Sequence, residues 1–344
     1  MSAPKFPVPP LPRRGQSRAF WRAPATASAL SWHIARAAQA HAGPLLVIAR
    51  DNQSAHQIEA DLLTLAGADD RPAALRELPV LSFPDWETLP YDRFSPHPEI
   101  VSQRLSTLHA LPALKRGAVV VPVQTLMQRL PPLRYVIGGS FDLKVGQRLD
   151  MDAEKRRLES AGYRNVPQVL DPGDFAVRGG LLDVYPMGAD APFRIELLDD
   201  DIDSIRAFDP ESQRSLDRIE AIDLLPGREV PMDDANVQRA LDALRERFDI
   251  DLRRSALYQD LKSGIAPAGI EYYLSRRRRA AAGLRRRGRS RRRILGQHPR
   301  PLRAAPPRHR DPAPAAGGAV PAARRAARTA QQGRTDRDRG TGPS

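Results

Sequence analysis

Residues 176–203, AVRGGLLDVYPMGADAPFRIELLDDDID, decide how this chain is read. The apolar run from Arg178 to Tyr185 predicts one buried strand, closed by Pro186-Met187-Gly188. A second strand is expected over Phe193–Leu198, where side chains alternate. Phe193, Ile195 and Leu197 share one face, and Arg194, Glu196 and Leu198 share the other. Asp199-Asp200-Asp201 supplies turn chemistry before a third run begins at Ile202. A face of two charges and a leucine is no core. One reading is a docking surface, with arginine for charged contacts and leucine as anchor. The other is a solvated strand with one exposed apolar residue, which is common on any protein surface.

The pattern RGxLLDxYP…RIELxDDxID resembles the second domain of the N-terminal UvrB-like module of the bacterial transcription-repair coupling factors. What the resemblance implies is contact with UvrA, the damage-recognition protein of nucleotide excision repair. The family's interface arginines fall on Arg178 and Arg194. Its interface aromatic falls on Leu198, where leucine keeps an apolar anchor and loses the ring.

Working outward, the chain splits by composition. Residues 276–344 hold 21 arginines, no lysine and three aspartates, a local balance of +18 within a total of +13. Residues 1–275 carry 33 basic and 38 acidic groups and are mildly acidic. The last aromatic residue is Tyr273. Beyond it no helical or strand period is sustained, so a disordered tail is expected over 275–344. Such a tail reads either as a non-specific nucleic-acid binder, through runs such as Arg276–Arg279, or as out-of-frame translation of a GC-rich gene after about Leu274. Family-like sequence in another frame downstream of Leu274 is the result that the second reading requires.

Upstream, amphipathic helices are expected over Ser28–Ala40, Ala55–Ala66 and Glu99–Leu111. Buried strands are expected over Pro44–Arg50, Leu78–Phe83 and Ala118–Val123. This alternation predicts a parallel, doubly wound α/β sheet. The linking segment Phe83–Leu105 is punctuated by proline and carries Trp86, Tyr91 and Phe94, which predicts a loop clamped by its rings. It also resembles the coupling-factor version of the first UvrB-like domain and leaves no room for UvrB's long DNA-gripping hairpin. A phosphate loop needs glycines and a lysine before the first helix. Arg22-Ala-Pro-Ala-Thr-Ala-Ser-Ala29 has neither, so no nucleotide cofactor is expected.

Further along, Met151–Ala161 predicts a helix with Asp152 as possible cap, Leu158 and Ala161 inward, and Lys155-Arg156-Arg157 outward. Arg157 and Arg164 read as solvated, or as aids to the acceptor surface. A helix over Asp234–Phe248 then leads to Gly269-Ile-Glu-Tyr-Tyr273.

The expected organisation is a flexible N-terminus (1–25), a UvrB-like domain 1a with a degenerate helicase-like sheet (26–135), and an inserted α+β docking domain (136–225). The start of a small third subdomain (226–274) and the tail follow. Five histidines (His33, His41, His56, His97, His109) lack metal-ligand spacing, and cysteine is absent, so no metal or thiol chemistry is expected. No apolar run approaches the roughly 20 residues that span a bilayer, and no secretion signal is visible, so the expectation is a cytoplasmic, non-enzymatic protein. By the resemblance, RNA polymerase and DNA are partners of later regions whose motifs this chain does not carry.

Overall fold

A computed structural model describes residues 8–12, 16, 18–21, 26–67, 78–90, 92–247 and 251–273. The tail expected over 275–344 lies outside these residues, as do Tyr91 and residues 22–25, the first half of the stretch Arg22–Ala29. Within the stretch 1–25, the Trp21 indole donates to Pro10 O at 2.8 Å, and its ring packs beside His33 on the first helix.

The first layer is a three-stranded parallel sheet. Helix α1 (Ala27–Ala40) is capped by Thr26, whose hydroxyl accepts from Ala29 N. Strand β1 (Pro44–Ala49) leads to α2 (Asn52–Gly67), begun by Asp51, which accepts from Ser54 N. β2 (Val80–Ser82), α3 (Pro98–Ala110) and β3 (Gly117–Pro122) complete the layer, in strand order β1-β3-β2. The central strand β3 is buried throughout. Ala118 and Val120 meet Ile34, Ala38, Ile58 and Leu62 of α1 and α2, while Val121 meets Leu105 and Leu108 of α3. β1 departs from the expected buried strand, since Leu46 and Ile48 are 55% and 53% exposed. It lies at the sheet edge, where α1 and α2 cover one face and α3 covers only its neighbours.

The second layer is six-stranded, in the order β10-β9-β8-β7-β6-β5. Its strands are β5 (Arg164–Asn165), β6 (Asp174–Arg178), β7 (Leu181–Val184), β8 (Phe193–Leu198), β9 (Asp201–Phe208) and β10 (Ser215–Ile219). The run Arg178–Tyr185 is therefore not one strand. Gly179 takes φ 61, which lets the chain reverse in two residues, and Arg178 pairs with Leu181 across a hairpin. Strand β4 (Phe141–Lys144) pairs with β11 (Ala221–Leu224) at the base of this unit. Between β4 and β5, helix α4 (Met151–Ala161) packs Leu158 inward; its cap is Asp150, which accepts from Ala153 N, and not Asp152.

The main core spans both sheets. Phe175, Leu182, Ile195 and Ile205 of the six-stranded sheet share one cluster with Phe83, Leu105 and Val121 of the first layer. A smaller core joins α5 (Asp234–Arg247) to α6 (Ala256–Lys262) through Leu241, Tyr258, Leu261 and Ile270. Between these parts lies a buried ion pair. Arg104 donates to Glu229 from Nε at 2.5 Å and from Nη2 at 3.2 Å, and both side chains are fully buried. Trp86 Nε1 also donates to Glu229, at 3.0 Å, and the Arg104 guanidinium stacks on Trp86 and Phe83. Trp86 thus clamps the Phe83–Leu105 loop, whereas Phe94 is exposed. No described helix is long and apolar enough to cross a membrane.

Candidate docking face

The six-stranded sheet has one face on the core and one turned away from it. Phe175, Leu182, Val184, Ile195 and Ile205 belong to the core, so the alternate residues Arg178, Leu181, Asp183, Arg194 and Glu196 stand on the outer face. Arg178 and Arg194 are far apart in sequence but meet on one carboxylate. Arg194 grips Asp183 in a two-pronged pair, Nε to Oδ1 at 2.7 Å and Nη2 to Oδ2 at 2.9 Å. Arg178 Nη2 reaches the same Oδ2 at 3.3 Å. Asp183 itself is 2% exposed. A buried carboxylate is tolerable there because two guanidiniums and their hydrogen bonds compensate it.

The two arginines differ in availability. The Arg194 side chain is only 18% exposed, lies 4.9 Å over the Phe208 ring, and already spends two donors. The Asp183 hydrogen bond holds its guanidinium pKa above the usual value. The Arg178 side chain is 52% exposed and leaves most of its donors to solvent. Leu198 stands at the far end of β8, opposite Asp201 and beyond a bulge between Glu196 and Leu197, and is 68% exposed. The three residues singled out from sequence thus share one sheet face, with Arg178 and Arg194 bound to the same carboxylate and Leu198 roughly 13 Å along the strand from Arg194.

Asp183 is the residue that sequence reading missed. Its signal was an acid at an outward position of an apolar strand, but its partner depends on the register Asp183↔Arg194, which no local pattern reveals. One end of the face is closed: Val166 and Val169 pack over Ala176 and Phe208. Arg164 is engaged with Asp174 at 2.9 Å and Asp171 at 3.6 Å, and Arg157 lies 3.5 Å over the Phe141 ring beside Glu154. Both are tied to their own surroundings. The triple aspartate is a turn, with Asp199 at φ 57 and Asp200 paired to Arg148 at 2.8 Å.

This face lies within residues 141–229, which match the family model of the UvrB interaction domain. The chain therefore carries an interaction domain of the UvrB type beside a parallel α/β sheet. Over 248 residues (72% of the chain) it is 44% identical to the transcription-repair-coupling factor of Escherichia coli, and over 230 residues (66%) it is 45% identical to that of Haemophilus influenzae. Similarity to the Bacillus subtilis factor is 30% over 204 residues, 59% of the chain. The chain is thus homologous to the transcription-repair-coupling factors, and it spans about a fifth of the length of these relatives, 21%, 19% and 17% respectively.

Proposed function

We propose that this chain is a docking module that recruits UvrA in transcription-coupled nucleotide excision repair. The outer face of the six-stranded sheet is its acceptor surface, and Arg178, Arg194 and Leu198 are the contact residues. The observation that carries this reading is the pairing of Arg178 and Arg194 on the buried Asp183, beside an exposed Leu198, on the one sheet face free of the core. Asp183 fixes both guanidiniums before any partner arrives, so little side-chain entropy remains to be lost on binding. Arg178 supplies the free charge, Arg194 a preset donor beside the Phe208 ring, and Leu198 the apolar contact.

Binding rather than catalysis is the proposed role. The position before α1 where a phosphate loop would stand offers neither glycine nor lysine, which supports a non-hydrolytic module. In this proposal, engagement of RNA polymerase and of DNA falls to parts of the longer relatives that the chain does not match.

The test exploits the difference in exposure. Arg194→Glu would set two carboxylates together over a buried site and confuse folding with binding. Arg178→Glu combined with Leu198→Asp alters two side chains that are more than half exposed, and Asp183 keeps its two-pronged pair with Arg194, so the fold is expected to persist with a modest drop in melting temperature while co-purification with UvrA is lost. Hot-spot arginines contribute about 2 kcal/mol or more, and charge reversal adds repulsion. Undiminished UvrA binding by the folded double variant refutes the assignment.

A further inference from the structure

The register of the six-stranded sheet places more charge on the outer face than the Arg178–Arg194 pair accounts for. Asp183 lies opposite Arg194, Arg194 opposite Arg206, and Arg206 opposite Arg218. Directly opposed residues in antiparallel strands point to the same side. Their chain neighbours confirm the direction: Ile195 and Ile205 are buried in the core and Ile219 packs against it, so the arginines face away. A row of three arginines thus crosses β8, β9 and β10, with a single carboxylate at its β7 end.

That carboxylate is already committed to Arg194 and Arg178. Among the described residues, no side-chain hydrogen bond or ion pair engages the Arg206 or Arg218 guanidinium, and the exposed Asp203 and Asp217 along the same strands pair with neither. Like charges directly opposite each other destabilise a sheet by a few tenths to about 1 kcal/mol per pair. Asp183 already offsets Arg194, so the uncompensated opposition is Arg206 against Arg218, and it contributes nothing to the fold. An approaching carboxylate removes that repulsion, so the free protein's cost becomes the complex's gain.

We propose that the docking face extends past Arg194 through Arg206 to Arg218, and that it takes an acidic protein surface whose carboxylates pair with the β9 and β10 arginines. This rests on the UvrA reading above and adds to it a second, basic half of the same site. From Arg178 on β6 to Arg218 on β10 the face covers four strand spacings, about 19 Å, which is the width of a protein–protein contact rather than of a single ion pair. Its other half is not basic. Asp183, Glu196 (held by Ser204 Oγ at 3.0 Å) and Asp201 interrupt the arginines, with Leu181 and Leu198 between them. A phosphate backbone would meet these carboxylates, whereas a protein surface can match the alternation of sign and supply an apolar contact.

The test uses the 344-residue chain and purified UvrA. Arg206→Ala with Arg218→Ala is expected to weaken binding roughly tenfold or more and to flatten its salt dependence. Arg206→Lys with Arg218→Lys is expected to retain most of the affinity. The melting temperature of the alanine variant should equal or exceed that of the parent, because the opposed charges are gone, which separates loss of binding from loss of fold. Unchanged affinity in the alanine variant, with Arg178→Glu still abolishing binding, overturns the extension and leaves the UvrA reading standing. If neither variant loses affinity, both readings fall. Loss of duplex-DNA binding in the alanine variant with UvrA affinity intact overturns the assignment to a protein partner.

Discussion

Arg194 and Arg104 show how the same side chain serves opposite ends in one molecule. Arg104 is sealed between Glu229, Pro84 O and two aromatic rings, so its charge has no reach beyond the core. Arg104→Ala is expected to destabilise by about 3–5 kcal/mol, since it strands Glu229 as a buried, unpaired carboxylate; chemical denaturation measures this directly. Arg194→Ala leaves Asp183 with Arg178 alone and should be milder, about 1–3 kcal/mol. The converse holds for UvrA binding, which Arg104→Lys should leave unaltered. A pH effect belongs to the same scale. Burial pushes the Glu154 carboxyl above its ordinary range, and its Oε1 has no hydrogen-bond partner. The folded chain therefore holds that proton to higher pH than the unfolded chain does. The associated stability is present in acid and lost as pH rises past the ordinary carboxyl value and through the raised one. Glu154→Gln is expected to raise stability at pH 7 by on the order of 1 kcal/mol, with little change near pH 4; melting curves at the two pH values decide it.

Among the elements, the β6–β7 hairpin organises the site because it returns Asp183 to the neighbourhood of Arg178 and presents it to Arg194 on β8. Glycine permits the reversal at Gly179, where an added Cβ meets open space and only the backbone conformation resists. Gly179→Ala is expected to cost about 1–2 kcal/mol. Gly117, at φ 127 at the start of β3, is different in kind: a Cβ there would lie 2.4 Å from Pro79 O, within the backbone that pairs β2 to β3. Gly117→Ala should cost about 3 kcal/mol, clearly more than the hairpin change, because neither backbone segment can step aside. Equal melting temperatures for the two variants would contradict this account. The elements also explain the departures from the sequence reading. The eight residues from Arg178 to Tyr185 read as one strand because periodicity does not register a two-residue reversal between two apolar strands. The apolar residues of β1 read as buried because a string of apolar residues does not reveal which strand takes the edge.

At the scale of the whole molecule, the described residues and the arginine-rich tail make separable claims. If recruitment resides in the sheet face, a chain ending at Leu274 should bind UvrA as tightly as the 344-residue chain. Any sequence-indifferent, salt-steep binding to DNA or RNA should vanish with the 21 arginines. Persistence of such binding after truncation would move it onto the sheet and away from the tail. Composition alone located the change in character near Tyr273, and alternating periodicity fixed the faces of β8 and the amphipathic helices, because each is a local property of spacing. The motif around Arg178 and Arg194 likewise identified the candidate residues without coordinates. Only the tertiary structure decided that these arginines share Asp183, that Arg194 is mostly covered while Arg178 is half exposed, that Arg206 and Arg218 join the same row, and that Arg104 and Glu229 are one pair. Each of these depends on strand register or on contacts between distant segments. Such long-range pairing is set by the packing of the complete core, and no local stretch of residues encodes it.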